Sequence, residues 1–163
     1  MANESDGKLA SVGLLILRVG FGLYLATYGY AKIQMLIGGQ AAQFGDPIGI
    51  GATASLVLSM LAEFAAALMV ALGLFTRIFA AVVAINMAVA GWVAMWSAPL
   101  TSVAAFAAFQ AGKTKFPASK EPALLYLIAF VALIFLGAGR FSLDALVIPW
   151  WKARKAKTTP AES

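Results

Sequence analysis

The chain has 163 residues, a formal charge of +5, a pI near 9.7 and a mean hydropathy of +0.88, with 62% of its residues hydrophobic. A soluble domain holds about 45–50% apolar residues, so a water-soluble globule is excluded and a single membrane-embedded domain is expected. Cysteine and histidine are absent; this removes disulfides, thiol redox chemistry, iron–sulfur ligation, histidine-ligated haem and the common zinc sites, and no metal is expected.

Residues 1–10 form an N-terminal tail in which Glu4 and Asp6 oppose Lys8. The apolar run that follows contains Arg18 and lacks a small-x-small cleavage site, so a retained first helix is expected rather than a removed signal. Four runs, at about 11–33, 51–75, 78–98 and 122–139, are long enough to cross a bilayer, and no β-barrel alternation is present. The expected fold is an all-α membrane protein, a four-transmembrane-helix bundle over residues 11–148, followed by a basic C-terminal tail at 149–163.

Between the first two spans, Asp46–Pro47 is a turn signal. The second and third are joined by a tight hairpin, where Thr76 is expected to cap the third helix and Arg77 to sit at headgroup level. In the long loop from Leu100 to Lys120, Val103–Phe109 suits a short helix, while Trp92 and Trp96 read as interfacial anchors. Gly137 and Gly139 are placed to end the fourth helix; Ser142 is then an N-cap with Asp144 in the first turn of its segment.

Basic residues concentrate at the end that holds both termini, which places the termini in the cytoplasm. Lys152, Arg154, Lys155 and Lys157 follow Trp150 and Trp151, the pattern of a tail on anionic lipid headgroups rather than on nucleic acid.

Glu63 lies at the midpoint of the second run, which carries no other charge. A carboxylate at that depth costs about 2.5–3.5 kcal/mol on insertion scales, so it is paired, protonated or functional. Arg18, Gly22, Leu25, Gly29 and Lys32 share one face of the first helix, and Arg18 is expected to reach Glu63 from there. Ser59 and Asn86 fall at similar depth, with Tyr28 nearby. These groups allow a catalytic Arg18–Glu63 pair with a pocket for a polar headgroup, such as a quinone, bound by Tyr28, Ser59 and Asn86. They also allow a pair that only fixes helix register in a non-catalytic anchor, or an idle protonated Glu63. Lys32 is expected to snorkel, and Lys32, Arg77, Arg140 and Asp144 to act as structural or interface charges. The stretch from Gly137 to Ser142 lacks the strand context of a dinucleotide loop.

Several ordered pieces carry a family resemblance: Leu14-Leu-Ile-Leu-Arg-Val-Gly-Phe-Gly-Leu-Tyr-Leu25, Tyr28-Gly-Tyr-Ala-Lys32, Asp46-Pro-Ile-Gly-Ile-Gly51, Ala62-Glu63-Phe64, Gly73-Leu-Phe-Thr-Arg77, Glu121-Pro-Ala-Leu-Leu-Tyr-Leu127 and the Gly137–Leu146 stretch. Together they resemble the DoxX family of prokaryotic four-helix membrane proteins. The resemblance implies a multi-pass protein of the prokaryotic inner (plasma) membrane, labelled an oxidoreductase after a related quinone-reducing subunit. It further implies quinone as an external cofactor, with no intrinsic one, and a partner redox subunit or a second copy of the chain. The chain departs from the family in having Tyr28, Met95 and Trp96 where histidines are frequent, and in an enlarged third loop.

Overall fold

The computed structural model describes residues 4–94, 98–112 and 119–147. Met95, Trp96, the interior of the third loop and the basic tail with Trp150 and Trp151 lie outside the described residues. Helix α1 spans Glu4–Ile37. Helix α2 spans Ala52–Leu72, and its middle turn, Leu61–Ala66, is widened to π geometry. Helix α3 runs Thr76–Ala88 and continues through a second π turn, Val89–Ala94. Helices α4 (Ser102–Gln110) and α5 (Glu121–Leu136) complete the set, with no strand among the described residues.

Helices α1, α2 and α3 are long and apolar enough to cross a membrane, and α5 is a shorter apolar helix. They form a ring in chain order: α1 packs on α2, α2 on α3, α3 extensively on α5, and α5 closes lightly against α1. Leu25, Val70, Val83, Met87, Phe130 and Leu133 make the core, with alanines filling the narrow spaces between them. Ile16, Ile85, Ile128 and Phe135 point outward and are well exposed. Helices that are apolar on every side belong in lipid, because water would leave those outer faces uncompensated.

The slide of α1 along α2 is fixed by glycine. A Cβ on Gly29 would fall 2.5 Å from the Phe64 nitrogen, and one on Gly22 would fall 2.8 Å from the Ala67 carbonyl oxygen. Only a residue without a side chain permits that approach, the usual device for close helix packing in membranes. Gly29 therefore sits on the Glu63–Phe64 backbone, and the far end of α2 meets α1 near Arg18.

At that far end Gly73 turns left-handed (φ 74°) to close α2, with the Leu74 N–H on the Met69 carbonyl and the Gly73 N–H on the Val70 carbonyl, both at 2.9 Å. The expected cap at Thr76 is not made: its side chain makes no capping bond and lies inside the first turn of α3. Asp144 performs that task instead, its carboxylate accepting the N–H groups of Phe75 (2.6 Å) and Thr76 (2.9 Å) while its own N–H bonds the Gly73 carbonyl (2.8 Å). A carboxylate is favoured at a helix N-terminus by both bonding and dipole; Asp144 thus serves α3 rather than its own segment. Ser142 does cap locally, its Oγ accepting the Ala145 N–H at 3.2 Å.

Helix α5 stops at Leu136 and hands over to Gly137 and Gly139, both at positive φ, as the sequence suggested. The anticipated short helix in the third loop is α4, held to α5 by the Glu121 carboxylate accepting the Ser102 N–H at 2.6 Å.

Candidate functional site

Glu63 projects from the π turn of α2 into the bundle, with its side chain 6% exposed. Its Oε1 accepts the Ser59 hydroxyl and the Asn86 amide N–H, each at 3.0 Å. Its Oε2 pairs with Lys32 Nζ from α1. Three helices thus converge on one carboxylate, and each contributes a donor. The Lys32 ammonium also lies 6.0 Å from the centroid of Phe44, whose ring comes from the loop after α1, within range of a cation–π contact.

Ser59 and Asn86 are where sequence depth placed them. The expected Arg18–Glu63 pair is not formed. With Gly29 seated on Glu63, Arg18 lies eleven residues away, about 16 Å along α1 at 1.5 Å per residue. Lys32 is three residues beyond Gly29 on the same face and takes the pairing role instead of snorkelling.

Arg18 is 1% exposed and donates through Nη1 to the Ala138 carbonyl at 2.8 Å, packed beneath Gly73. Arg77 Nη2 donates to the Phe135 carbonyl at 3.3 Å. Both guanidinium groups therefore sit at the carbonyl end of α5, where positive charge is favoured. Arg140 exposes its side chain and contributes its backbone N–H, 3.4 Å from Ser11 Oγ. Arg18, Arg77 and Asp144 build a lock for the terminal end of the bundle, well away from Glu63.

Two openings lie at opposite seams of the bundle, one of them lined by the Glu63 partners Ser59 and Asn86. A cleft of about 240 Å³ between α2 and α3 is lined by Ser55, Ser59 and Asn86, with Phe44, Pro47 and Ile48 at its loop end. On the opposite side, a groove of about 640 Å³ runs along the light α1–α5 seam. Its wall includes Phe21, Tyr24, Tyr28 and Tyr126, and Ser102 and Glu121 also line it. Tyr126 is buried, meets Phe21 edge-on at 5.8 Å and Tyr28 at 6.3 Å, and its hydroxyl has no hydrogen-bond partner among the described residues. Tyr28 is 45% exposed on the groove rim, so it is not the interior group the sequence suggested. Sequence reasoning passed over Tyr126, although its position one turn into an apolar helix was a signal of depth.

At the loop end, Asp46 accepts the N–H groups of Ile50 (3.0 Å) and Gly51 (2.7 Å) and the hydroxyl of Ser55 (2.8 Å). The Gly51 N–H foremost, then the Ser55 hydroxyl, holds the Asp46 carboxyl below the usual carboxylate range.

The family model described as DoxX matches residues 13–96, which includes Lys32, Ser59, Glu63 and Asn86 and excludes α5. Comparison with curated proteins and with solved structures gave no match.

Proposed function

The chain belongs to the DoxX family of proteins, and from that premise we propose that this helical membrane protein is a quinone-linked oxidoreductase subunit. The observation that carries the reading is the Tyr126 hydroxyl, buried without a partner among the described residues at an aromatic groove, in a bundle that also buries a multiply bonded carboxylate. An isoprenoid-tailed ring fits such a place: the groove is apolar and open on its long side, and a buried donor lacking an acceptor costs about 1–3 kcal/mol until one arrives.

Tyr126 would hold a quinone ring oxygen, with Tyr24 and Tyr28 along the rim. The chemistry a quinone supplies there is acceptance of two electrons and two protons. Lys32 pairs with Glu63 inside the bundle, and Ser59 and Asn86 keep the carboxylate aimed. With neither cysteine nor histidine in the chain, electrons come from a partner redox protein. In this reading α1, α2, α3 and the shorter α5 all cross the inner membrane and both termini face the cytoplasm, the side favoured by the basic residues.

A second reading, a non-catalytic anchor within a larger complex, is favoured by the completeness of the bonding around Glu63. In it, Glu63→Gln weakens folding but leaves the activity of the surviving complex intact.

Native purification followed by solvent extraction and mass analysis tests the redox reading. Quinone should be recovered from the wild type. Occupancy should fall about tenfold in Tyr126→Phe, the worth of one buried hydrogen bond at 1.4 kcal/mol per decade. A wild-type extract containing lipid alone overturns it.

A further inference from the structure

Asp46 at the loop end and Glu63 in the core are linked by hydroxyl groups on one face of α2. Ser55 donates to Asp46 Oδ1 at 2.8 Å, and Ser59 donates to Glu63 Oε1 at 3.0 Å. The remaining interval, Ser55 to Ser59, is one helical turn of about 6 Å, too long for a direct hydrogen bond. Both hydroxyls line the 240 Å³ cleft, and Asn86 adds a third polar group. A water molecule takes about 30 Å³ in the liquid and needs two to four polar partners, so this cleft accommodates a short file of waters touching both serines.

We infer that the α2–α3 cleft is the route by which protons reach Glu63, entering from the Asp46 end of the bundle. The inference rests on the reading of Glu63 as a proton carrier and supplies its access. A hydronium in the cleft gives its proton to Ser59 Oγ as Ser59 passes its own hydroxyl hydrogen to Glu63 Oε1. One O–H bond breaks on the hydronium, leaving water, one forms on the carboxyl group, the hydroxyl is restored, and no electrons move. The groups bonded to that carboxylate are Ser59, Lys32 from α1 and Asn86 from α3, while the Tyr28 and Tyr126 phenols line the groove at the α1–α5 seam. Toward the other end the helices meet on Leu25, Ala66, Ala67 and Val70, an apolar contact, so access is one-sided.

The chain has no cysteine, so single-cysteine variants report cleanly. In oriented proteoliposomes, Ser59→Cys should react with a charged methanethiosulfonate at least about tenfold faster than Ile128→Cys on the outer face of α5, away from the cleft, because only a hydrated thiol ionises. It should do so when reagent is added on the Asp46 side alone. After a downward pH jump, infrared detection of the Glu63 carboxyl band, assigned with Glu63→Gln, should show protonation slowed several-fold in Ser59→Ala and restored in Ser59→Thr. Equal reactivity of Ser59→Cys and Ile128→Cys, or wild-type speed in Ser59→Ala, overturns the route. Neither readout involves quinone: a reactive Ser59→Cys in a protein whose extracts hold only lipid upholds the route and sinks the redox role.

Discussion

Removing one member of the Lys32–Glu63 pair leaves the other buried without its counter-charge, a change that costs about 3–5 kcal/mol in buried pairs. Glu63→Leu and Lys32→Met should each lower the unfolding midpoint in detergent by an amount of that order. The double variant, which replaces both charges by apolar groups of similar size, should be less destabilised than the sum of the singles, a coupling that a double-mutant cycle reads directly. Additivity would show that the pair is not an energetic unit. At this scale the sequence revealed Glu63, Ser59 and Asn86, because apolar run length gives depth and helical periodicity gives a face. The identity of the cation did not follow. Arg18 and Lys32 occupy the same face of α1, and periodicity says nothing about axial slide; that is set by Gly29 resting on Phe64.

Helix α3 begins on a cap supplied from a distant part of the chain. Replacing Asp144 by alanine removes both bonds to Phe75 and Thr76 and should cost about 0.5–2 kcal/mol, the usual worth of an N-cap. Faster amide exchange confined to the first turn of α3 is the expected signature, with Asn at position 144 recovering part of the protection. Unchanged exchange in that turn would show that the cap is dispensable. Features that depend on near neighbours were legible in advance: the Gly137 and Gly139 stop, the Ser142 cap and helix α4. The Asp144 cap was not, since its donors lie 68 and 69 residues away. Nor were the two π turns, which leave no compositional mark.

The whole bundle reads as a membrane object from hydropathy alone, and the helices occur in the expected order, but α5 is shorter than the run that announced it because Gly137 ends it early. How the loop between α1 and α2 folds over the cleft depends on a single exposed carboxylate. Asp46 has its folded pKa depressed, chiefly by the Gly51 N–H. Its stabilising contribution is therefore present above the unfolded value, near 3.9, and is lost as pH falls through the lower folded value. Acidification below about pH 4 should loosen the loop, seen as faster exchange of the Ile50 and Gly51 amides. Asp46→Asn should remove this acid dependence; a variant that still loosens on the same curve would assign the transition to another group.

The wide turn at Leu61–Ala66 holds one residue more than a regular helix needs over the same rise. Excising one residue of the turn, Ala65 for example, would let α2 relax to regular winding with its two halves left in register, while the residues of the turn, Glu63 among them, rotate about the axis. The acid would then turn away from its three donors although both halves of α2 keep their seats on α1. The aim of Glu63 is thus encoded in chain length as much as in residue type, and a change of spacing with every important side chain retained would be enough to undo it.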